Sequence, residues 1–313
     1  TGLTHRDTRK MDWSHGHNST IHNGISRIGF YTGGHAARFR DEDLADKWVE
    51  KSNEWIETHR DHPFFLFFAS HDLHVPRIVH ERFQGKTSLG PRGDAIIQLD
   101  WCVGELLKTL DRLELAENTM VVFCSDNGPV LDDGYKDDAI EKIGDHQPAG
   151  PYRGGKYNVM EGGTRTPFIT RWIGRIQPGE SDKIVCTIDL AASFAALTGV
   201  ALPENGCLDS FEVLGALLGE KNAAGRDHLV QQDNGVGGNY GFRVGNWKLQ
   251  RYDSKKTSNT ELRLVRRPIA PLLLFDLSTD PGERSNVIDD HPEVARRLTH
   301  QLGQLIERGR SRP

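Results

Sequence analysis

The stretch Ser125-Asp126-Asn127-Gly128-Pro129 sets a carboxylate and a side-chain amide at the end of the apolar run Val121-Val122-Phe123-Cys124. Their oxygens are hard ligands suited to a hard cation, and the tip of a buried strand is where α/β sheets bind their ligands. An ordinary turn would use the same residue types. In FFASHDLHVPR, His71 and His74 follow directly on a second apolar run. Histidine titrates near neutral pH and can pass a proton in catalysis, although single histidines at strand ends are more often only polar. The segment RGGKYNVMEGGTR (153–165) places glycine pairs before Lys156 and before Arg165. Paired glycines let backbone approach a ligand closely, and lysine is a natural contact for an oxyanion; a flexible loop with a solvated lysine is the plain reading. A fourth stretch, SHGHNSTIHNG (14–24), lacks a recognised metal spacing. His15, His17 and Asn18 there are polar donors and acceptors that could line a ligand site, and a surface loop explains them at least as well.

These residues need elements to hold them. Asp41 is placed to cap a helix carrying Leu44, Trp48, Ser52, Trp55 and Ile56 on one face. PFFLFFAS (63–70) reads as a strand buried on both sides. Asp94 is placed to cap a long helix with Ile96, Leu99, Val103, Leu106, Leu107, Leu110 and Leu113 inward. VVFC and TPFITRWI (166–173) supply further strands, and TIDLAASFAALTG (187–199) a helix stopped by glycine. Strand and helix in alternation predict an α/β fold, a mainly parallel sheet with helices on both faces. After about Gly225 the pattern changes. GFRVGNWKLQRY (241–252) alternates around Gly245-Asn246 as a hairpin does, PLLLFDL (271–277) is another strand, and HPEVARRLTHQLGQLIERG (291–309) is an amphipathic helix. The expected division is residues 1–225, and a small subdomain over 226–313 with an antiparallel sheet and a terminal helix.

Composition excludes some roles. A chain of 313 residues with a formal charge of -5 has no basic stripe for nucleic acid. No apolar run approaches the length that crosses a bilayer, so neither nucleic acid nor a membrane is an expected partner. The four cysteines form neither a CxxC pair nor a zinc spacing, and Cys102 and Cys124 lie in apolar segments as buried free thiols would.

Taken together, PFFLFFASHDLHVPR, NTMVVFCSDNGP, GPYRGGKYNVMEGGTRTPFITRWIG and LLLFDLSTDPGERSNV followed by HPEVARRL resemble the formylglycine-dependent sulfatases of the alkaline-phosphatase-like superfamily. HGHNSTIHNGISRIGF and GPRGDAIIQLDW are similar to stretches of bacterial sulfatases that act on sulfated sugars. The resemblance implies a calcium site with Asp126 and Asn127 as one half of its ligands. It implies that Lys156 contacts the sulfate oxygens and the nucleophile, and that His74 contacts the ester oxygen and helps protonate the leaving group. His71, Arg165, His15, His17 and Asn18 are then candidates for binding a sulfated carbohydrate or aryl sulfate. A periplasmic or secreted location follows from the same resemblance.

The sequence lacks three elements of the family's pattern. The nucleophile of these enzymes arises in a Cys/Ser-x-Pro/Ala-x-Arg motif, and none of Cys102, Cys124, Cys186 or Cys207 has that context. The family's N-terminal acidic pair and its Gly-Lys-Trp-His-Leu-Gly segment are also missing. The expectation is therefore the C-terminal portion of a longer sulfatase, whose N-terminal segment supplies the nucleophile and the other calcium ligands. By itself this chain is expected to bind calcium poorly and to hydrolyse sulfate esters at background. Two other readings stay open: a phosphate or phosphonate ester hydrolase of the same superfamily, and a glycan-binding piece without turnover.

Overall fold

The computed structural model describes residues 41–131, 137–233, 239–252 and 270–312. His15, His17 and Asn18, and Asp132 and Asp133, lie outside them. The chain divides into two compact units, Thr1–Thr119 with Leu131–His146 and Met120–Val130 with Gln147–Pro313.

The first unit is built on two helices, α1 (Leu44–His59) and α2 (Gly90–Arg112). Asp41 does not cap α1. It belongs to a 3-10 turn, Asp41–Asp43, and the helix starts at Leu44. The buried positions of α1 are Ala45, Val49 and Ile56. Ala45 and Val49 meet Cys102 of α2, with Phe68 and Trp101 packed beside them. Small residues at this contact let the helix backbones approach, while Trp48 and Trp55 lie half-buried to its side. Asp94 does not cap α2 either. The helix begins at Gly90 with Pro91 in its first turn, where the missing proline N–H costs nothing. The Asp94 carboxylate accepts instead from the N–H groups of Gly85, Lys86 and Thr87, at 2.8, 3.0 and 3.0 Å. Of the expected apolar stripe only Leu110 is fully buried; the buried face of α2 runs through Ala95, Gln98, Cys102 and Thr109.

Residues 63–70 are extended, yet they join no ladder among the described residues. Side chains alternate along an extended chain. Phe64, Leu66 and Phe68 turn inward, with Phe68 edge-on to Trp48 at 6.4 Å. Phe65 and Phe67 are 70% and 78% exposed, so the segment is buried on one side where the sequence predicts two.

In the second unit β1 (Val121–Cys124) pairs with β2 (Phe168–Arg171), in register from Val121 opposite Arg171 to Cys124 opposite Phe168. The pair is antiparallel, so the parallel pairing predicted by the alternation of elements is not formed among the described residues. Short helices α3 (Glu161–Thr164) and α5 (Leu214–Leu217) flank α4 (Asp189–Thr198), which ends at Gly199 in the left-handed region, φ 72°. Asp189 fastens α4 by accepting from the Cys186 and Phe211 N–H groups, each at 2.9 Å, and by pairing with buried Arg226 at 2.6 Å.

The C-terminal part forms as read. An antiparallel sheet has the order β3 (His228–Gln232), β4 (Tyr240–Val244), β5 (Trp247–Arg251), β6 (Leu272–Asp276). Gly245, φ 57°, turns the β4–β5 hairpin, and Val244 faces Trp247 across it. Helix α6 (Pro292–Arg308) lays Ala295, Leu298 and Leu302 onto Phe242, Leu249 and Leu274, the main core of this unit.

All four cysteines are free; Cys102 is buried, Cys124 half-buried and Cys207 exposed. Burial, with the charges of Asp72 and Asp46 adding to it, pushes the Cys102 thiol up to about 12. Since only the thiolate reacts, Cys207 is expected to take an aromatic disulfide reagent readily in the native protein, and Cys102 only after unfolding. Peptide mapping of the labelled protein checks this. Early label on Cys102 would contradict the burial described.

Candidate functional site

Two stretches of the second unit, 125–129 and 153–166, meet at the Asp126-Asn127 turn. As β1 ends, the Gly128 N–H donates to the Gly163 carbonyl at 2.9 Å, and the Lys156 N–H donates to the Pro129 carbonyl at 3.0 Å. The Thr166 hydroxyl donates to the Ser125 carbonyl at 3.2 Å, and the Gly162 N–H to the Arg153 carbonyl at 2.8 Å. The approach is closer than side chains allow. A Cβ at Gly128 would lie 1.9 Å from the Gly162 carbonyl oxygen, and one at Gly163 would lie 2.3 Å from that of Gly155. The glycines flanking Lys156 are therefore packing contacts, and the lysine sits on a fixed backbone. The next residue, Tyr157, is held at φ 80°. That conformation is an outlier for a bulky side chain, and such outliers persist only where the surroundings impose them. The Lys156 ammonium lies 5.3 Å from the centre of the Tyr157 ring.

Arg165 ends the segment, half exposed. Its guanidinium lies 4.6 Å over the Tyr152 ring and 3.6 Å from Glu161, which is buried. Glu161 also pairs with Lys248 at 2.8 Å and Arg243 at 3.2 Å. Burial alone would raise the Glu161 carboxyl; Lys248, Arg243 and Arg165 together hold it below its ordinary value, so it stays ionised. Neither Glu161 nor Lys248 is a candidate from the sequence, because the partners stand 87 positions apart.

His71 and His74 belong to the first unit, with ring centres 6.1 Å apart. His74 Nδ1 lies 2.6 Å from the Val75 carbonyl, which can only accept. The Nδ1 proton is thereby assigned to this bond. Between the histidines, Asp72 accepts from Gln98 Nε2 at 2.9 Å, and Gln98 Oε1 accepts from the His80 N–H at 2.9 Å. Burial pushes the Asp72 carboxyl up to about 6 despite the Gln98 hydrogen bond. Asp72 went unnoticed in the sequence, where its neighbours give no sign of burial.

Asp126 is exposed, and Asn127 donates Nδ2 to the Gly128 carbonyl at 2.9 Å, which leaves Oδ1 as its available ligand atom. A carboxylate and an amide oxygen on one pinned turn suit a hard cation in kind. They do not suffice in number, and the described residues contain no group of three or more His, Cys, Asp or Glu placed to hold a metal. The structure thus brings Asp126, Asn127 and Lys156 onto adjoining backbone and ties Arg165 to the same frame.

The sequence pattern of the family described as Sulfatase matches residues 4–200, and that of the N-sulphoglucosamine sulphohydrolase C-terminal region matches residues 155–308. The chain belongs to the sulfatase family. It is 45% identical over 312 residues to the N-acetylgalactosamine-6-O-sulfatase of Bacteroides thetaiotaomicron, covering 98% of this chain and 60% of that protein. Human arylsulfatase A is 33% identical over 255 residues, covering 79% of this chain and 48% of that protein. A solved structure from work on glycosaminoglycan metabolism by B. thetaiotaomicron superposes with a TM-score of 0.83 at 45% identity, over 95% of this chain and 61% of that one. The fold is the alkaline-phosphatase-like one of the sulfatases. The chain spans about half to three fifths of these curated relatives.

Two predictions follow from the geometry. Gly128→Ala must push the 153–165 segment off the turn, at a cost of about 1–3 kcal/mol of stability as for other overpacked contacts. Urea unfolding measures it, and an unchanged midpoint would refute the contact. For Asp72 the folded pKa of about 6 exceeds the ordinary 3.8. Its stabilising contribution is full below about pH 4 and lost as pH rises through 6, amounting to at most about 3 kcal/mol. Asp72→Asn should therefore match the parent protein at pH 4 and exceed it in stability at pH 7.5. Parallel unfolding curves at both pH values would show that Asp72 is not buried as described.

Proposed function

We propose that this chain carries part of the catalytic machinery of a sulfate-ester hydrolase acting on sulfated carbohydrate. The observation that supports it most is the joining of Asp126-Asn127 to Lys156 through Gly128, Pro129 and Gly163. That arrangement joins the backbones that carry two hard-oxygen donors and an ammonium, groups of the kind that suit a tetrahedral sulfate anion and a hard cation. Lys156 would offset charge on the sulfate oxygens, an effect that depends on preorganisation. Arg165, steered by Glu161 and Tyr152, would contact an anionic or hydroxyl group of the sugar, with His71 and, outside the described residues, His15, His17 and Asn18 as further sugar contacts. His74, with its proton on Nδ1, would gain a second on Nε2 and deliver it to the departing alcohol oxygen. Asp126 and Asn127 would hold calcium, which when bound polarises a sulfate oxygen.

On this reading the formylglycine nucleophile and the remaining calcium ligands come from an N-terminal segment of the same protein, and the enzyme works in the periplasm or outside the cell. The relative at 45% identity carries the name of an N-acetylgalactosamine 6-O-sulfatase, which makes 6-sulfated N-acetylgalactosamine the first substrate to assay.

The test compares this chain with one extended at its N-terminus and matured by a formylglycine-generating enzyme. Both are assayed with calcium against an aryl sulfate, 6-sulfated N-acetylgalactosamine, other sulfated sugars and a phosphonate monoester. The short chain should stay at background. The extended chain should turn over a sulfated sugar, and Lys156→Ala should lower its kcat/KM by roughly 10²–10³-fold. Preference for the phosphonate would move the protein to the other chemistry of the superfamily. No turnover of any sulfate ester would overturn the proposal.

A further inference from the structure

Lys248 is the second residue of β5 and is fully buried. A lysine in that position is costly unless its charge is met. Its ammonium is met by two carboxylates, Glu161 at 2.8 Å and Glu283 at 3.2 Å, both buried as completely as the lysine itself. Glu283 does more than balance charge. One oxygen accepts from the first N–H of α3, that of Glu161, at 2.6 Å, and the other accepts from Gln250 Nε2 at 2.5 Å. Its backbone carbonyl accepts from Arg153 Nη1 at 3.1 Å. Tyr252 donates to Gln250 Oε1 at 2.7 Å and completes the set.

These contacts fall at both ends of one segment. Arg153 is tied to Glu283 at the start of 153–165, and Glu161 is tied to Glu283 and Lys248 near its end. Lys156 lies between the ties. Glu161 in turn holds Arg165 through the ion pair at 3.6 Å and through its own carbonyl, which accepts from the Arg165 N–H at 2.7 Å. The C-terminal sheet thus reaches the carboxylates that anchor the loop bearing Lys156 through Arg243, Lys248 and Gln250, and of these only Lys248 is an ion-pair partner of both carboxylates.

We propose that Lys248 and Glu283 are positioning residues for Lys156 and Arg165, and that the C-terminal sheet serves the site by fixing this loop. The functional consequence rests on the sulfatase reading above; the structural consequence does not. A reactive group displaced by about 1 Å can cost on the order of 10²-fold in rate, so a loop that carries the anion-binding lysine needs such anchoring.

The experiment uses hydrogen exchange on this 313-residue chain. Lys248→Met removes the charge and keeps most of the side chain's volume, and Leu298→Ala, in the core between α6 and the sheet, serves as a control that lowers stability without touching the loop. Peptides spanning 152–166 should lose protection at least tenfold more in Lys248→Met than in Leu298→Ala, with the Lys156, Gly162 and Gly163 amides among those released. Glu161→Gln, which retains shape and one of the two accepting oxygens, should give the same local loss in smaller measure, and stands in if Lys248→Met does not fold. Equal protection of 152–166 across the variants, or a uniform loss over the whole unit, would overturn the proposal. In the extended, matured enzyme, Lys248→Met should lower kcat by tens to a hundredfold while KM changes little, and Lys248→Arg should restore part of it. An inactive extended enzyme would count against the sulfatase reading alone, since exchange still decides the positioning role.

Discussion

A Cβ atom at position 128 would lie 1.9 Å from the carbonyl oxygen of Gly162, well inside any contact that side chains make. That approach of backbone to backbone is the constraint on which the rest of the second unit depends. It joins the end of β1 to the segment 153–165 without intervening side chains. The Gly128 N–H and the Lys156 N–H are thereby satisfied by carbonyls across the junction. Buried backbone groups must be paired, so the two glycine-rich stretches fix each other, and the side chains of Asp126, Asn127 and Lys156 emerge from one frame. Hydrophobic burial adds to it, since Val159 and Met160 of the same segment are buried. The apolar core lies farther along the chain, between α6 and the four-stranded sheet.

The frame has its own requirement, which is charge. A segment that reaches inward past its glycines takes Glu161 with it, and the carboxylate must be compensated where water is excluded. Lys248, Arg243 and Arg165 do so from three directions. Removing one partner of a buried pair strands the other, which generally costs about 3–5 kcal/mol. The β4–β5 hairpin is therefore as necessary to the 153–165 segment as the glycines are. Its strands supply Arg243, Lys248 and Gln250, and the turn following β6 supplies Glu283. The coupling explains why a subdomain of ordinary sheet and helix carries Lys248 and Glu283 on buried positions.

What the sequence discloses depends on the range of the interaction. Gly245-Asn246 between alternating strands gives the hairpin, Gly199 the stop of α4, and the apolar positions of 292–308 the face of α6, because each is decided within a few residues. Asp94 is read wrongly for a related reason. An acid before an apolar run signals an N-cap, but Pro91 starts α2 one turn earlier and leaves Asp94 to hold the loop at Gly85–Thr87. The run 63–70 offers no alternation of polarity, so nothing local shows that Phe65 and Phe67 face outward. The candidates Asp126, Asn127, Lys156 and Arg165 can be picked out by residue type and glycine context. Their supports cannot: Glu283 meets Glu161 across 122 positions, and no local pattern relates them.

The two carboxylates on Lys248 are not equivalent, and the difference bears on how the loop behaves as pH falls. Burial opposes ionisation of both. Glu161 overcomes it because Lys248, Arg243 and Arg165 all face it, and its carboxyl lies below the ordinary range. Glu283 does not: burial and the neighbouring Glu161 charge raise it, against the pull of Lys248 and the Glu161 N–H. A proton entering this cluster therefore settles on Glu283. The ion pair between Lys248 and Glu161 is spared, and it is this pair that ties the sheet to α3 and to Arg165. Protonated Glu283 can still accept from the Glu161 N–H through its carbonyl oxygen. A proton on Glu283 thus leaves in place the ion pairs of Glu161 with Lys248 and Arg165.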